Sequence, residues 1–183
     1  MWKILILAAV LAVLRILYFF LNHETLFPIS RKTAATVANN GVFHYTGKEI
    51  ARQILLQQRM QGYPDRKSTF PWRRSRKIVW LLLNSRNPLQ RLCRWIIVKR
   101  HCPNRPNGHD RSVRYEVKLL ITGINPSYSR HMYYNLEGGL GYYCEALEGV
   151  SIVPAPLDDI DRKLGILSPE ALSEYLSKGD VPL

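Results

Sequence analysis

The residue types best suited to metal or nucleophilic chemistry are scarce: the chain has three cysteines and five histidines in 183 residues. Four of these eight crowd into one stretch, Cys93, His101, Cys102 and His109. Thiolate and imidazole are the ordinary ligands of zinc, but structural zinc sites are built on C-x2–4-C pairs. The C-x7-H-C-x6-H spacing here supplies no such pair. The Pro, Asn and Gly of residues 101–110 predict a loop, in which the four side chains are an incidental cluster. No metal ligand, cofactor or catalytic residue is assigned. No Ser/His/Asp order or carboxylate pair stands out between residues 101 and 145, and an enzyme with a site in that stretch is kept as an alternative.

Two short stretches resemble known families. TGKEIARQIL, at 46–55, resembles the opening helix of membrane-anchored neutral zinc metallopeptidases. That resemblance implies an H-E-x-x-H pair of ligands with its general base, and histidines 23, 44, 101, 109 and 131 form none. G-I-N-P-S, at 123–127 after an apolar run, resembles the first active-site motif of the mismatch-specific uracil-DNA glycosylases. The resemblance implies that Asn125 would position an attacking water. Only about sixty residues follow it, too few for the remaining strands and second motif of such a domain. Asn-Pro as turn chemistry is the simpler reading.

Charge is the sharper signal. The formal charge of +12 divides into +17 over residues 1–115 and −5 over 116–183. A basic front facing an acidic rear implies an anionic partner, or contact between the two parts. Glu145, Glu148, Asp158, Asp159 and Asp161 are the acids expected to pack against the chain's own basic region or a basic partner. The odd, small cysteine count and the absence of an Asn-x-Ser/Thr sequon with a permitted middle residue fit a reducing compartment.

Residues 66–100 hold eleven Lys/Arg and no acid, interleaved with Phe70, Trp72, Trp80 and Trp95. Within them, Leu89, Leu92, Cys93, Ile96 and Ile97 recur at the spacing of one helical face. Arg91 and Arg94 then fall on the other side. Trp beside Arg on an amphipathic helix is the composition of an element lying in a lipid interface. The residues expected to bind anionic headgroups or an acidic partner are Arg73, Arg74, Arg76, Lys77, Arg91, Arg94, Lys99 and Arg100. Nucleic acid is the alternative ligand, although no RNP, K-homology or zinc-finger spacing is present.

Residues 4–22 carry thirteen Leu, Ile, Val or Phe and a single charge, Arg15. A helix over 2–21 would run about 30 Å, the depth of a hydrocarbon core. The run is longer than the h-region of a cleaved signal and ends without an A-x-A site. The expectation is a retained single-pass transmembrane anchor over 1–22. Arg15 would face a partner or polar cavity within the bilayer, or snorkel to the headgroups. The greater positive charge downstream leans residues 23–183 toward the matrix or cytoplasmic side.

The remaining chain predicts a linker over 23–45 and a helix over about 47–61, opened by a Thr46–Glu49 capping box and stopped at Gly62. A strand follows within 113–122, and a second helix over about 169–178, opened by Ser168-Pro169-Glu170. Tyr128, Tyr133, Tyr134, Tyr142 and Tyr143 surround a glycine-rich turn and read as a packing or interface surface. The expected fold is α+β and mostly helical: the anchor, then a small, irregular basic domain over 46–115, helical and interfacial, then an acidic Tyr/Gly-rich region over 116–183. The expected function is a single-pass, non-enzymatic accessory or structural subunit of a larger membrane complex, in the mitochondrial or a bacterial inner membrane. Its partners would be other subunits and anionic lipid. A membrane-tethered binder of nucleic acid or phosphate ligands is the alternative.

Overall fold

The computed structural model describes residues 2–22, 27–64, 76–102, 114–125, 131–134 and 138–178, the side chains of 3–5 and 16–22 excepted. The helices are α1 (Trp2–Asn22), α2 (Arg31–Asn40), α3 (Lys48–Gln57), α4 (Pro88–His101), α5 (Asp159–Lys163) and α6 (Pro169–Lys178). The strands are β1 (Phe27–Pro28), β2 (Val42–Thr46), β3 (Met60–Gln61), β4 (Tyr63–Pro64), β5 (Lys77–Leu83), β6 (Val117–Thr122), β7 (Met132–Tyr134), β8 (Gly139–Tyr143), β9 (Ala146–Leu147) and β10 (Ser151–Pro154). Eight strands form one antiparallel sheet in the order β1-β7-β8-β5-β2-β6-β10, with β4 beside β5. A small β3–β9 ribbon stands apart.

This organisation corrects the expected fold class. The domain is built around an eight-stranded antiparallel sheet rather than an irregular helical assembly with a strand or two. The acid-free segment supplies a central strand, because Ile78-Val79-Trp80-Leu81-Leu82-Leu83 is apolar enough to be buried on both faces. Gly139, Leu140 and Gly141, expected in a turn, belong with Tyr142 and Tyr143 to the neighbouring strand β8, buried throughout. Gly141 has no side chain because Ile78 Cδ1 would lie 2.5 Å from its Cβ. Residues 31–45, expected in a linker, form α2 and all but the last residue of β2. Gly41 joins them at φ +71°, its backbone so close to Ile121 that a Cβ would meet the Ile121 carbonyl oxygen at 2.3 Å.

The transmembrane anchor is also overturned: among the described residues no helix is long and apolar enough to cross a membrane. On α1 the side chains of residues 6–15 are all exposed.

Side-chain alternation along the strands sorts the core onto two faces. Val42, Val79, Leu81, Leu83, Val117, Leu119, Ile121, Leu140 and Ile152 point to one face, where they meet Val37 of α2, Ala51 and Ile54 of α3 and Leu172 of α6. Phe43, Tyr45 and Leu82 point to the other, where they meet Val98 of α4 and Leu164 and Ile166 around α5. The α6 helix forms where the sequence places it, and the Ser168 hydroxyl accepts from the Ala171 amide at 3.2 Å.

The expected capping box of α3 does not form. Thr46 belongs to β2 and is buried, the helix N-cap is Gly47, and the Lys48 amide donates instead to the Glu116 carboxylate at 3.1 Å. Glu49 accepts from the Tyr175 hydroxyl of α6. The helix ends at Gln58 in the left-handed region, φ 47°, before Gly62 is reached. From there the Gln58 side chain lies along the edge strand β10. Its Nε2 donates to the Ile152 carbonyl and its Oε1 accepts from the Ile152 amide, both at 3.0 Å. A primary amide thus takes the place of a further strand, which closes part of an exposed sheet edge.

Candidate functional site

The charged groups that meet are buried beneath α4 and α5. Tyr45 and Lys118 are directly opposite each other across β2 and β6. Their polar tips converge on Asp161 of α5, which is fully buried. The Tyr45 hydroxyl donates to Asp161 Oδ1 at 2.8 Å, and Lys118 Nζ donates to Oδ2 at 2.6 Å. Lys118 Nζ also donates to the Pro156 carbonyl at 3.1 Å and sits 4.1 Å from the centre of the Phe43 ring. Oδ2 of Asp161 further accepts from the Asp158 amide at 3.1 Å. In return Asp158 Oδ1 accepts from the amides of Ile160 and Asp161 at 3.1 Å each, a capping box that fixes the start of α5. Arg94 of α4 closes the cluster with an ion pair to Asp158 Oδ2.

Two cations and two carboxylates make the cluster formally neutral. That balance is what makes its burial tolerable, because an unpaired ion there would cost several kcal/mol, on the order of 3–5. Burial lowers the Lys118 pKa, and Asp161 opposes that shift without cancelling it. Burial and then Asp161 hold the Tyr45 phenol far above its usual range, so it stays protonated and donates. Burial pulls the Asp158 carboxyl upward, but the Asp161 amide, Arg94 and Lys118 together outweigh it and leave the pKa lowered. Among the described residues, Arg94 Nε is the buried side-chain polar atom without a hydrogen-bond partner.

His44 does a different job. Pairing of β2 with β5 ends at Phe43, and β4 takes up the same edge of β5 only at Ile78. Between them His44 Nδ1 donates to the Trp80 carbonyl at 2.8 Å. Burial lowers the His44 pKa, which favours the neutral ring.

The outer surface of α4 is the second candidate. The sequence periodicity places Leu89, Leu92, Cys93, Ile96 and Ile97 on one face of an interfacial helix, with Arg91 and Arg94 on the other side. Arg94, expected to bind headgroups or a partner, is instead turned inward. Arg94 and Val98 are buried, while Leu89, Leu92 and Ile96 are exposed at 67, 50 and 37%. The physical reason is the counter-charge: Asp158 waits beneath α4, and Trp95, Ile97, Val98 and Cys102 already fill the apolar contact with the sheet. Pro88, Arg91, Leu92 and Trp95 of α4 with Ile160 of α5 line an open, largely apolar groove of about 490 Å³.

The eight expected binding residues therefore separate. Arg73 and Arg74 lie outside the described residues. Arg76 packs over the Tyr143 ring at 4.8 Å, and Lys77 pairs with Glu145 at 2.6 Å. Arg94 is internal. Arg91, Lys99 and Arg100 stay on the exposed surface of α4, with Lys99 Nζ 4.6 Å from the centre of the Trp95 ring. Arg15 is exposed on α1. Of the expected acids, Glu145, Asp158 and Glu148 pair with basic residues of the front half, Lys77, Arg94 and Arg59. Asp161 pairs with Lys118 of the rear half, and Asp159 pairs on the surface with Arg162 of its own helix.

Sequence reasoning missed Tyr45 and Lys118 as members of a site. The one available signal was a lysine at a polar position of an otherwise apolar strand, which is ordinarily a solvent-facing position. Among the described residues no group of three His, Cys, Asp or Glu side chains is placed to hold a metal ion. His101 lies 4.9 Å from the Tyr115 ring, centre to centre, and Cys102 is buried with its thiol toward the Lys99 carbonyl. His109 lies outside the described residues. Burial and then Glu145 push the Cys144 thiol up to about 11, which leaves it protonated and unreactive at neutral pH. The chain matches no family model, no curated protein and no solved structure.

Proposed function

We propose that the chain is a non-enzymatic accessory subunit of a membrane-associated protein complex, and that it works by binding through the outer face of α4. The observation that carries this reading is the orientation of α4. An acid-free helix holds one arginine inward as a structural tie and presents Leu89, Leu92 and Ile96 to solvent beside Arg91, Lys99 and Arg100. Exposed aliphatic side chains grouped with bases mark a surface made to be covered. The groups able to do acid–base chemistry support the same reading. Tyr45, Lys118, Asp158 and Asp161 are occupied with one another, and the groove beside them is walled by apolar atoms.

The test compares the full chain with Arg91→Glu/Lys99→Glu/Arg100→Glu in mild detergent. The unaltered chain is expected to migrate in a defined assembly of fixed stoichiometry. The triple variant, like the unaltered chain in high salt, is expected to migrate alone with an unchanged unfolding midpoint. Equal assembly by both proteins would overturn the reading.

A further inference from the structure

The outer face of α4 has a lengthwise order. At 3.6 residues per turn, Leu89, Leu92 and Ile96 fall within an arc of about 60°. Lys99, Trp95 and Arg91 follow in turn around one side of that arc, and Arg100 stands at its other margin near the end of the helix. The groove opens on the Trp95–Arg91 side, with Ile160 as its far wall. The helix contains no acid, and its only polar, uncharged side chain before His101 is Gln90.

Resting on the reading of the chain as a subunit that binds through α4, we infer that the surface it meets is an anionic bilayer, with α4 lying in the plane of the headgroups. The aliphatic arc offers no hydrogen-bonding group with which to orient a protein partner, but it suits an acyl boundary that needs none. The flanking bases suit headgroup phosphates, because their long stems follow the apolar surface while the charges stay in water. Trp95 is half-buried beneath Lys99, so its indole sits where apolar and charged surfaces meet. A helix of this kind settles about 5–10 Å into the headgroup region. The net charge of +12 adds attraction at longer range.

The experiment uses the full chain and vesicles of phosphatidylcholine with or without phosphatidylglycerol, the acyl chains brominated near the headgroup. Because α1 keeps its own apolar side chains in every variant, the readout has to be local to α4. It is the tryptophan emission quenched by bromine that Trp95→Phe abolishes. This component is expected on anionic vesicles and not on neutral ones. Each base removed is expected to lower partition about fivefold, so Arg91→Gln/Lys99→Gln/Arg100→Gln lowers it about 100-fold. Leu89→Ser/Leu92→Ser/Ile96→Ser is expected to keep salt-sensitive attraction and lose the Trp95 quenching. These three residues are exposed, so this variant tests insertion with the core intact.

Trp95 left unquenched on anionic vesicles, or quenched equally on neutral ones, would overturn the inference. If the chain still assembled through its α4 bases while Trp95 stayed unquenched, the lipid assignment alone would fall and an acidic protein face would replace it. If assembly were also indifferent to those bases, both readings would fall.

Discussion

On the face of the sheet covered by α2, α3 and α6, the buried side chains are mostly aliphatic from Val42 to Ile152, and the polar ties of the helices lie at their ends and edges rather than in the core. On the opposite face the same strands present Phe43, Tyr45, Leu82 and Lys118, and α5 is held by directional bonds to one carboxylate. The first face loses stability in graded steps when its contacts are trimmed. The second is close to all-or-none, since every member of a neutral charge cluster is the counter-charge of another. The difference also explains α4. A helix packed on the aliphatic face would have turned its leucines inward, whereas over the charged face Arg94 takes the inner position and Leu89, Leu92 and Ile96 are left outside.

The largest expected effect comes from breaking the cluster on one side only. Asp161→Ala leaves Lys118 buried without its carboxylate and Tyr45 without its acceptor. It is expected to cost about 3–5 kcal/mol in denaturant unfolding. Replacing Asp161 together with its two side-chain partners, in Tyr45→Phe/Lys118→Met/Asp161→Leu, should cost clearly less, because it leaves no unpaired ion: Arg94 and Asp158 remain paired with each other. A triple variant less stable than Asp161→Ala would mean that the cluster contributes net stability rather than mutual compensation.

On the aliphatic face Leu119→Ala should cost about 2–5 kcal/mol through lost burial and a residual cavity. A loss shared between Leu119→Ala and Leu140→Ala additively, against strong non-additivity for Lys118 with Asp161, would sharpen the contrast. Gln58→Ala should cost about 1–3 kcal/mol for its lost hydrogen bonds, two to Ile152 and one to the Leu55 carbonyl. It also leaves the Ile152 amide and carbonyl open, so concentration-dependent self-association by light scattering is expected.

The smallest expected effect is on pH dependence. The folded-state pKa of His44 lies below the ordinary 6.5, so the unfolded chain binds more protons as the solution turns mildly acid. Its contribution is therefore complete above pH 6.5 and falls as pH drops below it. His44→Asn, whose amide still donates to the Trp80 carbonyl, should flatten the slope of stability between neutral and mildly acid pH. An unchanged slope would remove His44 from the account.

Local chemistry in the sequence sufficed for some elements. Pro169–Lys178 is legible because a serine cap, a first-turn proline and an acid all act within one helical turn. β6 is legible because an alternating run that becomes continuously apolar fits little else. The charge division is also seen in the structure: among the described residues, Arg59, Lys77 and Arg94 of the basic front pair with Glu148, Glu145 and Asp158 of the acidic rear. Other features depended on what lies across the fold. Thr46 and Glu49 have the spacing of a cap, but the sheet claims Thr46 and Tyr175 claims Glu49. The residues of α4 show a plain apolar periodicity, yet the position of Asp158, sixty-four residues away from Arg94, decides which face turns inward. Lys118 reads as a surface lysine until Tyr45 and Asp161 are brought to it. The sequence by itself determined α6 and β6, because a cap and an alternating run act over a few residues. Only the tertiary structure decided which polar groups are buried, because a buried charge is tolerable only beside a partner that the chain supplies from elsewhere.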